Sequence, residues 1–170
     1  MKTFFAIPCL VVAALVLAAC LGLRYNVTAS MPAGIYRLSG GAPTRGDLAE
    51  FSFPPDCPFG VLARSRGYLK PSSSLLKRVA AIAGDLVEVD AHGVSVNGVM
   101  QPQSRILEAD SKGRPNTSAL QTGRVPQGQA LILAAYAKSF DGRYFGYVSV
   151  DRLRRVTPVF TFNQEDRHDQ

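Results

Sequence analysis

The sequence predicts a mainly β protein, with one antiparallel β-barrel or sandwich domain preceded by a single N-terminal transmembrane helix. The chain begins with a long apolar run that carries no charge. Beyond it, short runs rich in β-branched, aromatic and aliphatic residues alternate with Gly, Pro and Asp. Many short strands with such punctuation are typical of an antiparallel barrel or sandwich.

The predicted transmembrane helix is the apolar run from Thr3 to Leu23, which contains no charged side chain and follows Lys2. At about 1.5 Å of rise per residue, a helix of this length spans roughly 30 Å, enough to cross a bilayer. Lys2 and the amino terminus favour an N-terminus in the cytoplasm, a preference that Arg24 weakens without reversing. We therefore expect residues 1–23 to be a membrane anchor or signal segment and the remainder to lie outside the cytoplasm.

A cleaved leader is the alternative reading of this segment. Leu17-Ala18-Ala19-Cys20 resembles a bacterial lipoprotein processing site. The anchor is favoured because the run is longer than the roughly 7 to 15 apolar residues of a typical leader core. Retention, cleavage and lipidation at Cys20 all stay open.

The rest of the chain has the length of one domain, which we place at residues 24–162. Asn97-Gly98 offers the positive φ values of a tight hairpin turn. The polar stretch from Ser104 to Gly123 predicts a long surface excursion, and residues 163–170 predict a frayed, disordered tail. The predicted strands are Asp47–Phe53, Leu86–Val89, Val94–Val96, Ala130–Ala135 and Tyr144–Ser149.

Composition narrows the possible partners. No spacing of metal ligands occurs, and Cys57 is the only cysteine outside the apolar segment, so we expect it to be a small apolar filler without a disulfide. The net charge is +6, and Arg152, Arg154 and Arg155 could meet anionic lipid headgroups or form an ordinary solvated face. Charge alone does not predict nucleic-acid binding. We expect a monomer beside a lipid bilayer.

Ser30 and Lys77 are the candidate catalytic pair. Ser30 lies seven positions beyond the apolar run, and Lys77 is flanked by Leu, Val, Ala and Ile residues that could bury its amine. A desolvated lysine loses its charge more easily and, once neutral, can take the serine proton. Arg78 could not, because guanidinium stays protonated. A Ser-His-Asp triad is not predicted, since His92 lies in a predicted turn and His168 in the polar tail.

Each member of this pair also has an ordinary interpretation when taken alone. Ser30 could be a turn serine or a helix cap before Pro32, and Lys77 could be a surface lysine at a strand edge. Their surroundings change this balance. Four segments resemble, in order, the sequence boxes of the type I signal peptidase family, serine peptidase family S26: Thr28–Pro32 around the nucleophile, Arg45–Phe51, Lys77–Asp85 around the lysine, and Ser139–Gly146.

Within that family, the run Pro32-Ala33-Gly34-Ile35-Tyr36 and the short chain look most like the TraF-type peptidases of conjugative transfer systems. Two positions depart from the family pattern. Ala83 replaces the proline usual before Gly-Asp, and Gly142 replaces the second serine of the last box. The resemblance implies a signal-peptidase-like β fold and a serine endopeptidase that uses a Ser-Lys dyad and no cofactor.

The resemblance also implies roles for individual residues. Ser30 would be the nucleophile and Lys77 its general base. The backbone N–H of Ser30 and the hydroxyl of Thr28 would form the oxyanion hole.

Three further residues are implied as supporting groups. Ser139 would hydrogen-bond the lysine amine and orient it. Asp141 and Arg143 would pair to hold their loop in shape. A more direct role for Asp141 in catalysis, in the TraF-type peptidases that process pilins, stays open.

The implied substrate is a membrane-inserted precursor, a pilin or a leader-bearing protein, with a small residue such as Ala before the cleaved bond. Strand segments around Met31 to Tyr36 and Leu75 to Ala81 would flank it as an extended peptide. The implied location is the bacterial inner membrane, with one span and the catalytic domain in the periplasm. Hydrolysis and cyclisation of the product stay open. The alternatives are a general leader peptidase and a non-enzymatic lipoprotein or envelope assembly component.

Overall fold

A computed structural model describes residues 6–162, which contain eleven strands, three α-helices and one 3-10 turn. The strands form two antiparallel sheets. In chain order the elements are α1 (Ala6–Cys20), β1 (Leu23–Asn26), β2 (Gly34–Leu38), β3 (Leu48–Phe51), α2 (Pro58–Ser65), β4 (Leu75–Ile82), β5 (Leu86–Val89), β6 (Val94–Val96), β7 (Val99–Met100), β8 (Gly123–Arg124), β9 (Gln129–Leu133), α3 (Gly142–Phe145), β10 (Val148–Ser149), the 3-10 turn (Val150–Arg152) and β11 (Leu153–Thr161).

Helix α1 is apolar and covers 15 residues. It ends where Gly22 adopts a positive φ of 69°, a conformation that terminates a helix, and β1 follows at once. Across residues 6–162, no helix combines the length and the apolar character needed to cross a membrane. The first residues of the predicted span, from Thr3 to Phe5, lie outside the described part of the chain.

The large sheet has the strand order β1-β2-β11-β3-β4-β9-β10, and each neighbouring pair is antiparallel. Gly34 is required where β2 meets β11, since a Cβ there would lie 2.2 Å from the Phe160 carbonyl oxygen. The register of β11 shifts between Pro158 and Phe160, beside this close approach. The second sheet has the order β7-β6-β5-β8.

In the first half of β4, residues 75–79, side chains alternate between the core and the surface. Leu75, Lys77 and Val79 are buried, whereas Arg78 is exposed. The buried face packs into an apolar cluster that includes Phe51, Leu75, Val79, Ile132 and Phe145. Because successive side chains of a strand point to opposite faces, this alternation directs the Lys77 amine inward.

The antiparallel β architecture is confirmed, and the predicted strands Leu86–Val89 and Val94–Val96 are β5 and β6. The Asn97-Gly98 hairpin is also confirmed, because both residues have positive φ and Val96 pairs with Val99. Strands β3 and β9 lie within one or two residues of their predicted bounds.

The prediction of a strand over Tyr144–Ser149 is wrong at its start. Tyr144 and Phe145 belong to α3, because the Asp141 carboxylate accepts the Arg143 N–H and caps a helical turn there. The sequence analysis did not predict α2 or β11. Most of the excursion between Ser104 and Gly123 is irregular, as predicted, but Ser104 and Leu120 are buried. The predicted tail, residues 163–170, lies outside the described residues.

Candidate active site

Ser30 and Lys77 line one open cleft with a volume of about 1130 Å³. Its walls come from the loop between β1 and β2, which we call the nucleophile loop (residues 27–33), from the start of β4 and from the segment leading to α3. Tyr68 and Asp110 also line the cleft, and Tyr68 donates a hydrogen bond to the Asp110 carboxylate.

The structure brings Ser30 and Lys77 together across 47 positions of sequence. Lys77 Nζ lies 2.6 Å from Ser30 Oγ, a hydrogen-bond distance. The lysine side chain is 3% exposed, while Ser30 is half-buried at the cleft surface. A buried amine thus contacts a hydroxyl that an incoming molecule can reach.

The environment of Lys77 favours the neutral amine. Burial lowers the pKa of Lys77 from 10.5 to about 8, and the positive charge of Arg143 acts in the same direction. The carboxylate of Asp141 opposes this shift without cancelling it. Near pH 8 about half of the molecules would therefore carry a lysine lone pair able to accept a proton.

The hydroxyl of Thr28 lies next to the same pair. Thr28 Oγ1 is 3.2 Å from Ser30 Oγ and donates a 2.8 Å hydrogen bond to Asn26 Oδ1. Its single proton therefore points toward Asn26. To serve as the oxyanion donor that the family resemblance implies, this hydroxyl would have to turn away from Asn26.

Asn26 is the residue at this site that the sequence analysis missed. Its side chain is 8% exposed and contacts both Thr28 and the residues after Ser30. The Asn-Val-Thr sequence could be read from the chain, but its partners are mostly backbone groups that leave no pattern in the sequence.

Ser139 lines the same cleft as Lys77 but does not make the expected hydrogen bond to its amine. Its side chain is 4% exposed, and its Oγ has no hydrogen-bond partner within residues 6–162. Ser139 therefore does not orient the Lys77 amine in this structure.

Asp141 and Arg143 form the predicted pair, and both are fully buried. Two bonds of 2.8 and 2.9 Å join the guanidinium to the carboxylate. The same guanidinium donates to five backbone carbonyls between positions 103 and 139. The pair thus fixes the segment before α3, which forms one wall of the cleft.

Gly142, where the family has a serine, lies in a space with no room for a side chain. A Cβ there would approach Leu131 Cδ1 to 2.6 Å and the Ile132 carbonyl oxygen to 2.8 Å. The departure from the family pattern therefore has a packing reason in this chain.

Other candidate groups lie apart from the pair. Arg78 is exposed and donates to the Gly46 carbonyl, and His92 is exposed in the turn between β5 and β6. Within the described residues no cluster of His, Cys, Asp and Glu could hold a metal ion. Cys57 is half-buried at the start of α2.

Comparison with known proteins identifies the family. A family model described as signal peptidase, peptidase S26, matches residues 1–159. The plasmid transfer protein TraF of Escherichia coli is 36% identical over 164 residues, covering 89% of this chain and 91% of the relative. The conjugal transfer protein TraF of Agrobacterium tumefaciens (strain 15955) is 35% identical over 154 residues, covering 84% of each chain.

A solved structure aligns with part of the chain. The signal peptidase I from Enterococcus faecalis V583 aligns with a TM-score of 0.40 and 22% identity, over 70% of this chain and 99% of that one. The family match and the TraF relatives agree with the four ordered boxes in the sequence. The chain therefore belongs to the signal peptidase family, peptidase S26, and is similar to the TraF proteins of plasmid and conjugal transfer.

Proposed function

We propose that this protein is a membrane-tethered endopeptidase with a Ser30–Lys77 dyad that matures a conjugative pilin precursor. The observation that carries the proposal is the 2.6 Å contact between Lys77 Nζ and Ser30 Oγ, made by an amine that is almost wholly buried. A neutral lysine at this distance can act as a general base toward the serine.

The proposed reaction has two stages. Ser30 Oγ attacks the scissile carbonyl carbon, and its proton passes to neutral Lys77. As the C–N bond breaks, the lysine returns that proton to the leaving amine, and an ester joins Ser30 to the acyl half of the substrate. The negative oxygen formed on the way would be stabilised by the Ser30 N–H and, after rotation away from Asn26, by the Thr28 hydroxyl.

Release of the ester can follow two routes. Attack by water yields a linear product with a new carboxylate. Attack by the amino terminus of the same acyl chain yields an amide and a ring, which is lighter than the linear product by one water. Lys77 can accept the proton of either nucleophile.

The start of β4 offers a place for the substrate backbone. Residues 78–82 of β4 pair with β9, but among residues 6–162 the partner of Leu75, Leu76 and Lys77 is β3 alone. An extended substrate could therefore add to their free side, beside Ser30. The expected second flank, Met31 to Tyr36, is not free in the same way, because β2 is paired with β1 and with β11.

The location that we propose is the bacterial inner membrane, with the catalytic domain in the periplasm. The uncharged apolar run that includes α1 supports it. Ser30 follows the last residue of α1 by ten positions, so an anchored chain would hold the nucleophile close to lipid. Such tethering raises the effective concentration of a precursor that is itself inserted in the membrane.

The test is co-expression with candidate precursors, followed by mass measurement of the products. The wild type would be paired with a pilin precursor and, separately, with a leader-bearing precursor, and compared with Ser30→Ala and Lys77→Met. Lys112→Met and Ser65→Ala are matched controls, since they change an exposed lysine and an exposed serine outside the cleft.

The proposal predicts that the controls process the pilin precursor as the wild type does and that both dyad variants leave it intact. A product mass lower than the linear peptide by one water would identify cyclisation. Processing of the leader-bearing precursor alone would favour a general leader peptidase. Persistent processing by both dyad variants would exclude the dyad.

A further inference from the structure

Asn26 lies at the base of the nucleophile loop, a position that its place in the sequence does not reveal. It ends β1, and its backbone pairs with Gly34 at the start of β2. Its side chain therefore sits at the base of the nucleophile loop, residues 27–33, and is 8% exposed. A buried amide must be hydrogen-bonded to be tolerated, and this one is bonded to the loop itself.

The Asn26 carboxamide binds the loop on both sides of Ser30. Its Oδ1 accepts from Thr28 N at 3.2 Å and from Thr28 Oγ1 at 2.8 Å. Its Nδ2 donates to the carbonyls of Met31 and Pro32, each at 3.0 Å, and more weakly to Thr28 O at 3.3 Å. Two lone pairs and two amide protons are thereby committed, the full capacity of the group. If Nδ2 and Oδ1 of Asn26 were exchanged, two donors would face each other at the Thr28 N–H and acceptors would face each other at the Met31 and Pro32 carbonyls.

These contacts extend the dyad into a chain of four groups. Lys77 Nζ, Ser30 Oγ, Thr28 Oγ1 and Asn26 Oδ1 are joined by successive distances of 2.6, 3.2 and 2.8 Å. Since the Thr28 proton is directed at Asn26, the Thr28 oxygen can offer Ser30 only a lone pair. Asn26 therefore fixes which atoms surround the serine hydroxyl and where they stand.

We infer that Asn26 is a positioning residue for acylation, which holds Thr28 and the nucleophile loop so that Ser30 Oγ faces Lys77. This inference rests on the proposed function. In the step concerned, the Ser30 O–H bond breaks, its proton goes to Lys77, and Oγ bonds the acyl carbon. Displacement of the attacking atom by about 1 Å typically costs about 100-fold in rate.

The experiment measures acylation directly on the full chain in detergent micelles. A peptide p-nitrophenyl ester ending in Ala would acylate Ser30 and release nitrophenolate, whose burst gives the acylation rate and the half-saturating concentration. The variants are Asn26→Leu, which removes all five bonds, and Asn26→Asp, which keeps an oxygen for Thr28 but loses the donors to Met31 and Pro32.

Ser104→Ala is the matched control. Ser104 is also a buried polar residue that ties a loop to a strand, through Val94 in β6 and Gln101 just after β7. Ser104→Ala should lose thermal stability as the Asn26 variants do. It therefore separates an effect of reduced stability from an effect of a misplaced Ser30 hydroxyl.

We expect Asn26→Leu to acylate about 100-fold more slowly than the wild type, with the half-saturating concentration changed by less than about threefold. The acylation rate of Asn26→Asp should lie between those of Asn26→Leu and the wild type. This variant keeps the test decisive if Asn26→Leu fails to fold. In a Thr28→Val background, Asn26→Leu should cost about tenfold or less, because part of its effect passes through Thr28.

Two results would count against this. Acylation by both Asn26 variants at the rate of Ser104→Ala would overturn the positioning role and leave the dyad standing. A wild type that forms no ester on Ser30 would overturn the proposed function and this inference together.

Discussion

Replacement of Lys77 by methionine should stabilise the folded protein at neutral pH. Methionine is a flexible apolar side chain that can occupy the same buried space. Lys77 is 3% exposed, and its burial lowers the pKa of the amine from 10.5 to about 8. A lowered pKa means that the folded state resists the protonated form, so the charged lysine costs stability wherever both states are protonated.

The size of the effect follows from that pKa. The difference between 10.5 and about 8 is worth roughly 3 kcal/mol of folding free energy at 1.36 kcal/mol per pH unit. The full cost applies below pH 8. Between pH 8 and 10.5 the unfolded chain binds the proton that the folded chain has lost, so wild-type stability rises with pH. Loss of the hydrogen bond to Ser30 subtracts about 1 kcal/mol. Lys77→Met should therefore be more stable than the wild type by about 2 kcal/mol at pH 7.

The assay is equilibrium unfolding of the full chain by guanidinium chloride in mild detergent, at pH 7 and at pH 10. Other titrating groups are common to both proteins and cancel in the difference. The advantage of Lys77→Met should shrink to near zero at pH 10. A variant less stable than the wild type at pH 7, or an advantage that does not change with pH, would refute the argument that Lys77 is a buried, desolvated base.

Three other predictions follow from the same contacts. Processing should rise with pH to a midpoint near 8 and then level off, since only neutral Lys77 is a base; a pH-rate profile falling above pH 6 would contradict it. Arg143→Met should cost about 3 to 5 kcal/mol of unfolding free energy by denaturant titration, because a buried carboxylate is left unpaired, whereas Arg114→Met at a partly exposed pair should cost under about 1. Gly142→Ser should lower the melting temperature, since the serine Cβ would clash with the Ile132 carbonyl oxygen. An unchanged melting temperature would contradict the argument that the space around Gly142 excludes a side chain.

Parts of the fold could be predicted because their signals are local. The runs Leu86–Val89 and Val94–Val96 are short, apolar and bounded by turn residues, and both are strands at the predicted bounds. Asn97-Gly98 supplied the positive φ values that a two-residue hairpin needs. In such segments the residues that decide the structure are neighbours in the chain.

Other parts depend on contacts that the strand pattern of the sequence does not show. Tyr144 and Phe145 have strand-forming side chains, but the Asp141 cap turns them into a helix. Strand β11 carries Arg154, Arg155 and Pro158, which mask its alternation, and it forms because β2 and β3 lie on its two sides. At Tyr144 and Phe145 a side-chain cap outweighs strand propensity, whereas in β11 pairing with two neighbouring strands supplies what the local pattern lacks.

The candidate site divides in the same way. The apolar residues around Lys77 predicted a buried amine, and β4 buries it. That Ser30 lies beside it depended on the family resemblance, since the two residues are far apart in the chain. The hydrogen bonds of the Asn26 side chain could not be predicted, because they go to carbonyl oxygens and one hydroxyl whose positions exist only after the loop has folded.

The ester on Ser30 is the intermediate that most directly tests the central claim. Full-length protein would be mixed with a purified precursor in micelles, quenched in acid within one turnover and weighed intact, and the adduct would then be located by peptide mapping. We predict a mass increase equal to the acyl half of the precursor, carried on the peptide that contains Ser30 and absent from Lys77→Met. Cleavage by Ser30→Ala at the wild-type rate, or an adduct on any other residue, would contradict it.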